Sequence, residues 1–435
     1  MMEKFFSFKK RGTSARTEVL AGIATFLTMS YIIVVNPAIL SDSGMDFNGV
    51  LFATVLVSSL SSIFMGLFAN LPYALAPGMG LNAFFTYTMV LGGGFSWQTA
   101  LGAVFISGII FIILSLTKVR TIILRAVPAS IRYAVAGGIG LFIALIGLRS
   151  VDFIVPNPAT TIAFGGINPT TAIFVGGLLL TGFLVVKRIK GALIIGIAAT
   201  SIVALIVSQF IETPLVTMPT RVFALPSLSV FFQLDILGAL KFSLIGPIFA
   251  LLFTDMFDSI STFLGIATTA GLVDKEGQPI NGHKALLVDA VSTTISGLFG
   301  TSSGTTYIES AAGIEEGGRT GLTAVVAGLL FLPFMFFSPI LSFIPAIATA
   351  PVLVIVGLFM MTGIVSLDWK NYEESLPAFL AFILIPLTYN ITQGIIWGLL
   401  FYTAIKIIRG KAREVHPMLY IIDVLAIVGL ILHIF

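Results

Sequence analysis

The stretch LPYALAPGMGLNAFF, residues 71–85, decides how this chain can fold. Pro72 and Pro77 each remove a backbone N–H donor, which interrupts helical hydrogen bonding. Gly78 and Gly80 lower the helix propensity of the residues that follow. The stretch is otherwise as apolar as a membrane-spanning segment. We therefore predict a broken span, in which a short strand-like piece is followed by a half-helix.

A second stretch of this kind lies in the other half of the chain. Residues 300–313 read GTSSGTTYIESAAG, which is too polar for a lipid-facing helix and begins with poor helix formers. Broken backbone at membrane depth is tolerated only where protein or a water-filled cavity satisfies its polar groups. Either segment alone could be an ordinary Pro/Gly kink. Two at matching positions indicate the central site of a transporter, where half-helix N-termini present free amide groups.

Composition places the whole chain in lipid. Of its 435 residues, 57% are hydrophobic and only 10% are charged, whereas soluble domains carry roughly 25% charged residues. A helix needs about 20 mostly apolar residues to cross a bilayer. Fourteen candidate spans lie at 18–37, 50–69, 72–90, 97–117, 127–148, 170–187, 191–209, 244–268, 284–300, 302–314, 320–338, 349–366, 376–391 and 393–408. The sequence leaves open whether a further apolar stretch, 417–435, crosses the membrane.

Basic residues indicate the orientation. Clusters at 118–125, 187–190 and 406–413 all fall on one side when the N-terminus is placed inside, and Lys and Arg are enriched in cytoplasmic loops. The N-terminal residues lack the apolar core and cleavage site of a removable signal. We predict an integral protein of the cytoplasmic (inner) membrane with a cytoplasmic N-terminus.

Other classes of site find no support in the sequence. Cys is absent, and the three histidines, His283, His416 and His433, are scattered. Neither a disulfide framework nor a metal site is therefore predicted, and no cofactor is expected. The formal net charge of the chain is only +3, and the Lys and Arg residues are clustered in short loops. No nucleic-acid partner is therefore suggested.

The two halves of the chain resemble each other. Residues 127–142 run from Val-Pro-Ala to Gly-Leu-Phe, and residues 344–359 run from Ile-Pro-Ala to Gly-Leu-Phe with the same spacing. Gly-Leu-Phe also precedes the third span, at 66–68, and the tenth, at 297–299. Chance is the alternative, because these residue types are abundant here. Since each unit holds an odd number of spans, seven, the second must be inverted relative to the first.

Four carboxyl groups fall inside apolar spans: Asp255 and Asp258 in the eighth, Asp289 in the ninth and Glu309 in the tenth. An Asp at the centre of a membrane helix costs about 2.5–3.5 kcal/mol on insertion scales. Such residues therefore usually face a cavity and serve a solute pathway or a proton relay. Burial favours the protonated carboxyl, which suits a group that binds and releases a proton. No Lys or Arg is expected at comparable depth.

Helical spacing groups the polar residues of the eighth span. Asp255, Asp258 and Thr262 fall at i, i+3 and i+7, so one helix face, predicted to look toward Glu309, carries them. We expect Glu309, and at least one of the two aspartates, to contact substrate or proton. Asp289 is expected instead to support the broken segments.

Three motifs resemble the nucleobase-ascorbate transporter superfamily (nucleobase:cation symporter-2), specifically its AzgA-like branch of hypoxanthine, guanine and adenine permeases. They are APGMGLNAF (76–84), FTDMFDS (253–259) and YIESAAG (307–313), and the resemblance covers essentially the whole chain. It implies an all-α polytopic membrane protein with about 14 transmembrane segments in two inverted seven-span repeats. The third and tenth spans would be broken by short strand-like pieces.

The resemblance also implies a division into a core domain, of spans 1–4 and 8–11, and a gate domain, of spans 5–7 and 12–14. The boundaries that follow are a cytoplasmic tail at 1–16, core segments at 17–126 and 244–338, gate segments at 127–209 and 339–408, an extracellular-side connector at 210–243 and a C-terminal apolar segment at 409–435.

In this family, acidic residues of the eighth and tenth spans bind the base and support proton coupling. Carried onto this chain, substrate binding falls on Asp255, Asp258 and Glu309, and proton coupling on Glu309 and Asp258. Asn82 and Phe84 would complete the pocket.

The tenth span departs from its relatives in one respect. Ser310 follows Glu309, where the uracil and xanthine branches have an Asn. We therefore include Ser310 among the candidate substrate contacts, but the contacts of those branches cannot be transferred atom by atom. Pro77 and Gly80, together with Asp289, are expected to support the break in the third span.

We therefore predict a transporter rather than an enzyme: a proton symporter that imports a purine base by alternating access. Sodium in place of the proton, and a homodimer, both stay open. One rival is an anion carrier on a related fold, which would need a basic residue or an unopposed helix dipole at the site. A remote rival is an intramembrane aspartyl protease, whose Gly-x-Gly-Asp signature is missing.

Overall fold

The computed structural model of the protein describes residues 2–117, 126–211, 214–216, 221–274 and 279–431. Within these ranges the chain is mostly helical, as its composition predicts, and it carries two small antiparallel sheets. The basic residues Lys118, Arg120 and Arg125, which entered the orientation argument, lie outside the described residues.

Over the described residues up to 208, the α-helices are α1 Met2–Phe6, α2 Ala15–Met29, α3 Ile32–Ser41, α4 Phe47–Phe64, α5 Met79–Ala83, α6 Trp97–Leu116, α7 Ala129–Ser150, α8 Pro169–Val186 and α9 Ala192–Ser208. The others are α10 Ile236–Ala239, α11 Ile245–Ala270, α12 Gly282–Phe299, α13 Ser310–Glu315, α14 Gly321–Phe331, α15 Ser338–Leu341, α16 Ala346–Met360, α17 Tyr372–Thr388, α18 Ile391–Ile408 and α19 Pro417–Ile431. The strands are β1 Leu75–Pro77, β2 Ile154–Asn157, β3 Thr161–Phe164 and β4 Gly304–Thr306. Helical turns of other pitch occupy Lys9–Arg11, Met65–Ala69, Phe84–Gly92, Phe242–Leu244, Leu332–Phe336, Met361–Ser366 and Ala412–Glu414.

Eight helical segments of the described chain are long and apolar enough to cross a membrane. They are Ala15–Ser41, Phe47–Ala69, Trp97–Leu116, Ala129–Ser150, Pro169–Val186, Phe242–Thr268, Ala346–Ser366 and Ile391–Ile408. Many large apolar side chains on these helices point outward, among them Leu116, Leu179 and Val186. Lipid, rather than water, is the solvent that such faces require. The chain is therefore an integral membrane protein.

Helix starts follow local sequence. The side chain of Asp46 accepts a hydrogen bond from the N–H of Gly49 at the start of α4. Asn168 and Thr171 form a reciprocal capping box at the start of α8, with Pro169 at its first position. Short polar residues are favoured at these positions because their oxygens satisfy amides that lack a partner within the helix.

The strand-like pieces predicted in the third and tenth spans are present. β1 and β4 pair antiparallel, with Leu75 opposite Thr306, Ala76 opposite Thr305 and Pro77 opposite Gly304. Each strand leads into a short helix, α5 after β1 and α13 after β4. The two breaks, which lie far apart in the sequence, thus form a single two-stranded sheet.

Protein groups satisfy the broken backbone around this sheet. The N–H of Gly78 donates to the carbonyl of Ser303 at 2.9 Å, and the N–H of Tyr307 donates to the carbonyl of Ala74 at 3.0 Å. The Tyr307 hydroxyl donates to the carbonyl of Pro77 at 2.5 Å. Every residue of both strands is buried. Irregular backbone can persist at this depth because the two breaks supply each other's hydrogen-bond partners.

The matching Gly-Leu-Phe motifs meet at a helix crossing. A Cβ atom added at Gly140 of α7 would lie 2.4 Å from the carbonyl oxygen of Gly357 of α16, and one added at Gly357 would lie 2.4 Å from the carbonyl oxygen of Gly140. The contact is therefore reciprocal between two positions that the predicted internal repeat would make equivalent. Small residues allow this approach of two backbones, as in other membrane helix pairs.

We expect Gly140→Ala to lower the thermal unfolding temperature of the detergent-solubilised protein. The new methyl group meets backbone rather than a movable side chain, so the helices must separate, which costs about 1–3 kcal/mol. The matched control is Gly176→Ala on α8, where a Cβ atom meets nothing within 4 Å. A Gly140→Ala protein that unfolds at or above the temperature of the control would contradict this packing.

Two features were not foreseen from the sequence. β2 and β3 form a hairpin in the connection between α7 and α8, with Ile154 opposite Phe164, since a long connection still has to pair its backbone groups. The stretch at 417–435, whose course the sequence left open, forms α19 over its described part and packs against α18.

Candidate functional site

A cavity of about 300 Å³ lies where the broken spans face α7 and α16. One wall comes from Tyr31, the start of α5, the middle of α11 and the β4–α13 segment. The opposite wall comes from the first turns of α7 and the last turns of α16. The volume is at the lower end of the range typical of small-molecule sites, about 300–1,000 Å³. Its polar side chains are Tyr31, Arg132, Tyr133, Thr254, Asp258, Ser261, Thr262, Thr305, Thr306, Tyr307, Glu309 and Thr362.

Glu309 lines this cavity and immediately precedes α13. The hydroxyl of Tyr31, which lies in the break between α2 and α3, donates to Glu309 Oε1 at 2.7 Å. Tyr31 is itself buried, so the hydrogen bond fixes the direction of the carboxylate. The remaining carboxylate oxygen is available to accept a hydrogen bond from a solute in the cavity.

Asp258 and Asp255 lie on the same helix, α11, but have different surroundings. Asp258 lines the cavity. Asp255 is 1% exposed and lies behind it, with its Oδ2 atom 2.5 Å from the hydroxyl of Thr293 on α12. Three residues of α-helix separate two side chains by about 60° around the helix axis and about 4.5 Å along it, so neighbouring elements decide that one carboxylate reaches the cavity and the other the packed interior.

Asp289 of α12 lies entirely within the protein. Its two carboxylate oxygens accept hydrogen bonds from Ser259 at 2.5 Å and from Thr306 at 3.2 Å. Asp289 thereby connects α12 to α11 and to strand β4. Asp255 and Asp289 thus connect the elements behind the cavity, whereas Asp258 and Glu309 face it.

Asn82, Phe84 and Ser310, which the sequence added to the candidate pocket, lie outside the cavity lining. Asn82 donates to Asn36 Oδ1 at 3.1 Å, and Phe84 is 1% exposed within the packed interior. The hydroxyl of Ser310 accepts a hydrogen bond from the N–H of Ala74 at 3.0 Å. Asn82 and Ser310 thus hold neighbouring groups in place, and Phe84 fills part of the packed interior.

Pro77 and Gly80 occupy the break as the sequence indicates. Pro77 ends β1, where its missing N–H costs little because it lies at the end of a two-stranded sheet. Gly80 lines the cavity, and a Cβ atom there would lie 2.4 Å from the Cγ2 atom of Ile139 on α7. The small residue allows the broken span to approach α7 closely.

The structure corrects one expectation, that no basic residue lies at the depth of the acids. Arg132, in the first turns of α7, lines the same cavity as Asp258 and Glu309. Its guanidinium carbon lies 5.5 Å from the ring centre of Phe257. The sequence does contain the signal, because Arg132 is a charged residue inside the apolar stretch 127–148. Tyr31 was also overlooked; its only signal is a hydroxyl-bearing ring within an apolar span.

A second cavity, of about 480 Å³, lies at the other end of α7. Its lining includes Asp42, Tyr87, Arg149 and Tyr389. The Tyr87 hydroxyl donates to Asp42 Oδ2 at 2.6 Å. Seventeen residues separate Arg132 from Arg149, which corresponds to about 25 Å along a helix axis. The two cavities therefore lie at opposite ends of the same helix.

The site has the chemistry of polar-solute recognition. Carboxylates accept hydrogen bonds and protons, and an arginine donates them. In the part of the chain that the structure describes, no group of three His, Cys, Asp or Glu side chains is placed to hold a metal ion. Carboxylates beside two broken spans, in an integral membrane protein, are typical of a secondary transporter.

Comparison with known proteins identifies the family. Residues 16–396 match the family model described as the permease family, Xan_ur_permease. The chain belongs to this family of nucleobase:cation symporter-2 permeases.

Named relatives match along nearly their whole length. Adenine permease AdeP of Escherichia coli is 38% identical over 99% of this chain and 96% of that protein. Guanine/hypoxanthine permease PbuG of Bacillus subtilis is 41% identical over 96% of this chain and 97% of that protein. Among solved structures, the transmembrane domain of the cyanobacterial bicarbonate transporter BicA is similar, with a TM-score of 0.66 at 16% identity, covering 88% of this chain and 97% of that domain. At that identity the likeness concerns the fold alone.

Proposed function

We propose that the protein is a proton-coupled symporter that imports purine nucleobases by alternating access. The observation that carries the proposal is the placement of Asp258 and Glu309 in the wall of one cavity. Purine bases present ring and exocyclic N–H donors, which carboxylates accept well because charge-assisted hydrogen bonds are strong. The names of the relatives, adenine permease and guanine/hypoxanthine permease, support a purine as the solute.

The proposal assigns two groups of roles. Glu309 and Asp258 bind the base, and the protonation of these two carboxyl groups couples transport to the proton gradient. Asp255 and Asp289 hold α11, α12 and β4 together behind the cavity. Asn82, Phe84 and Ser310 maintain the shape of the wall through the contacts described above, without touching the base.

Alternating access requires two bodies that move relative to one another. We propose the division predicted from the sequence, with a core domain at 17–126 and 244–338 and a gate domain at 127–209 and 339–408. The cavity supports it, since its two walls come from opposite sides of this division. The reciprocal contact of Gly140 and Gly357 supports two inverted repeats of seven spans, fourteen in all.

We propose the cytoplasmic membrane as the location, with the N-terminus inside. The described clusters at 187–190 and 406–413 support this orientation, because Lys and Arg concentrate on the cytoplasmic side. Within the second cluster, Arg409 and Lys411 bind Glu373 at 2.9 and 2.8 Å, as loops at one membrane face would.

Uptake into proteoliposomes tests the proposal. We expect labelled hypoxanthine, guanine or adenine to accumulate when the outside is more acidic than the inside, and a protonophore to abolish this accumulation. Replacement of external sodium by potassium should leave uptake unchanged. Accumulation that follows the sodium gradient instead would overturn proton coupling. Absence of uptake of all three bases would overturn the purine assignment.

The same preparation tests the rival anion carrier, for which Arg132 supplies the basic residue that the rival needs. An excess of sulfate or bicarbonate is expected not to reduce uptake of a labelled purine. Two carboxylates in the cavity wall disfavour an anion, because like charges at close range repel strongly where the dielectric is low. Competition by these anions would favour the rival.

A further inference from the structure

Arg132 places hydrogen-bond donors opposite the two carboxylates. It belongs to α7, whereas Asp258 and Glu309 belong to the wall formed by α11 and the β4–α13 segment. Among the described residues that line the cavity, it is the only Lys, Arg or His. The carboxylates of one wall therefore accept hydrogen bonds, and the guanidinium of the other wall donates them.

The guanidinium of Arg132 is held in place without being neutralised. Its carbon lies 5.5 Å from the ring centre of Phe257, within the range of a cation–π contact. Within the described ranges, no carboxylate oxygen lies within the 4.0 Å of an ion pair with Arg132, and its buried Nε atom has no hydrogen-bond partner. Buried donors in folded proteins are nearly always paired, so this atom indicates a partner that the protein itself does not supply.

The chemistry of a guanidinium selects among purines. Arginine donates in parallel to O6 and N7 of guanine, its commonest specific contact with a base. Adenine carries an amino group, which is a hydrogen-bond donor, at the position of O6. When this amino group faces the guanidinium of Arg132, two donors meet and neither is paired. Hypoxanthine carries the same O6 and N7 acceptors as guanine. A site built to pair with a polar substrate group rejects the analogue that lacks it.

We propose that Arg132 is the specificity-determining residue of the cavity: it donates to O6 and N7 of a 6-oxopurine, while Asp258 and Glu309 accept from the N–H groups of the base. The protein thereby selects hypoxanthine and guanine over adenine. This inference rests on the proposed purine transport and names the subclass of purine that the site takes.

Equilibrium binding to the purified protein, with uptake as a second measurement, tests the inference. We expect the unaltered protein to bind hypoxanthine and guanine at least about tenfold more tightly than adenine. Arg132→Gln should weaken hypoxanthine and guanine binding by about tenfold or more and leave adenine within about threefold, since Gln pairs with N6 and N7 of adenine. Arg132→Lys should recover only part of the loss, because an ammonium group does not reproduce the guanidinium fork.

Arg149→Gln is the matched control, being the same change on the same helix at the second cavity. It is expected to leave the ratio of hypoxanthine to adenine affinity unchanged. An equal loss of all three bases in Arg132→Gln, with full recovery in Arg132→Lys, would show that Arg132 acts through charge alone and would overturn the inference. Preference of the unaltered protein for adenine would overturn it while leaving purine transport intact. Absence of any purine binding would remove the proposed function itself.

Discussion

Glu309→Ala is expected to abolish purine uptake while the protein is produced and folded normally. The side chain faces a cavity, where Tyr31 donates a hydrogen bond to it, so its loss removes little packing. A hydrogen bond to a charged group contributes about 1.5–3 kcal/mol, which corresponds to a 10- to 150-fold loss of affinity for each bond to the base. Loss of the titrating group also removes proton coupling. Uptake into proteoliposomes measures both effects.

The control is Glu315→Gln. Glu315 belongs to the same segment and its side chain is exposed, so this variant should transport normally. Tyr31→Phe provides a graded variant: it keeps the carboxylate but removes the 2.7 Å hydrogen bond that orients it. We expect weaker substrate binding in this variant, with an effect smaller than that of Glu309→Ala. Normal uptake by Glu309→Ala would remove the central role of this carboxylate.

Asp289→Ala is expected to have the opposite profile, a large loss of stability that reduces the amount of folded transporter. Ser259 and Thr306 both donate to this carboxylate, and each buried group left without a partner costs about 1–3 kcal/mol. The change also removes the hydrogen bond from Thr306 of β4 to α12 and leaves the one from Thr293 to the carbonyl of Gly304, which weakens the support of the sheet that holds the two broken spans. Thermal unfolding in detergent, followed by size-exclusion chromatography, measures the loss.

Asp289→Asn separates structural support from a role of the charge. An amide keeps a similar shape and one acceptor oxygen, so the folded protein and its transport should largely be retained. The control for Asp289→Ala is Asp368→Ala, since Asp368 is exposed and its side chain accepts one local hydrogen bond, from the N–H of Lys370. A stable Asp289→Asn protein without uptake would move Asp289 into the transport site.

Glu309 and Asp289 differ in how the protein surrounds their carboxylates. Carboxylates that face the cavity are held by few protein contacts, which leaves them free to exchange protons and hydrogen bonds with a solute. Of the carboxylates behind it, Asp289 accepts hydrogen bonds from Ser259 and Thr306, and Asp255 accepts one from Thr293. Position in the cavity wall or behind it thus separates the two roles.

Sequence alone determined the solvent of this protein, the positions of both breaks and the four acids that lie in the cavity wall or behind it. Each is a local property: apolar composition selects lipid, Pro72 and Pro77 interrupt any helix that contains them, and a carboxylate in an apolar span is visible without knowledge of its neighbours. The strand-like pieces in the third and tenth spans were predicted on this basis and are present.

Only the tertiary structure decided which of these residues meet. The spacing of Asp255 and Asp258 placed them on one helix face, yet packing against α12 turned one inward and left the other at the cavity. Nor could spacing along the chain bring Arg132 of α7 to Glu309, because their approach depends on how two distant helical segments pack. Helical periodicity describes a single element, whereas a binding site is defined by the surfaces that several elements present to one another.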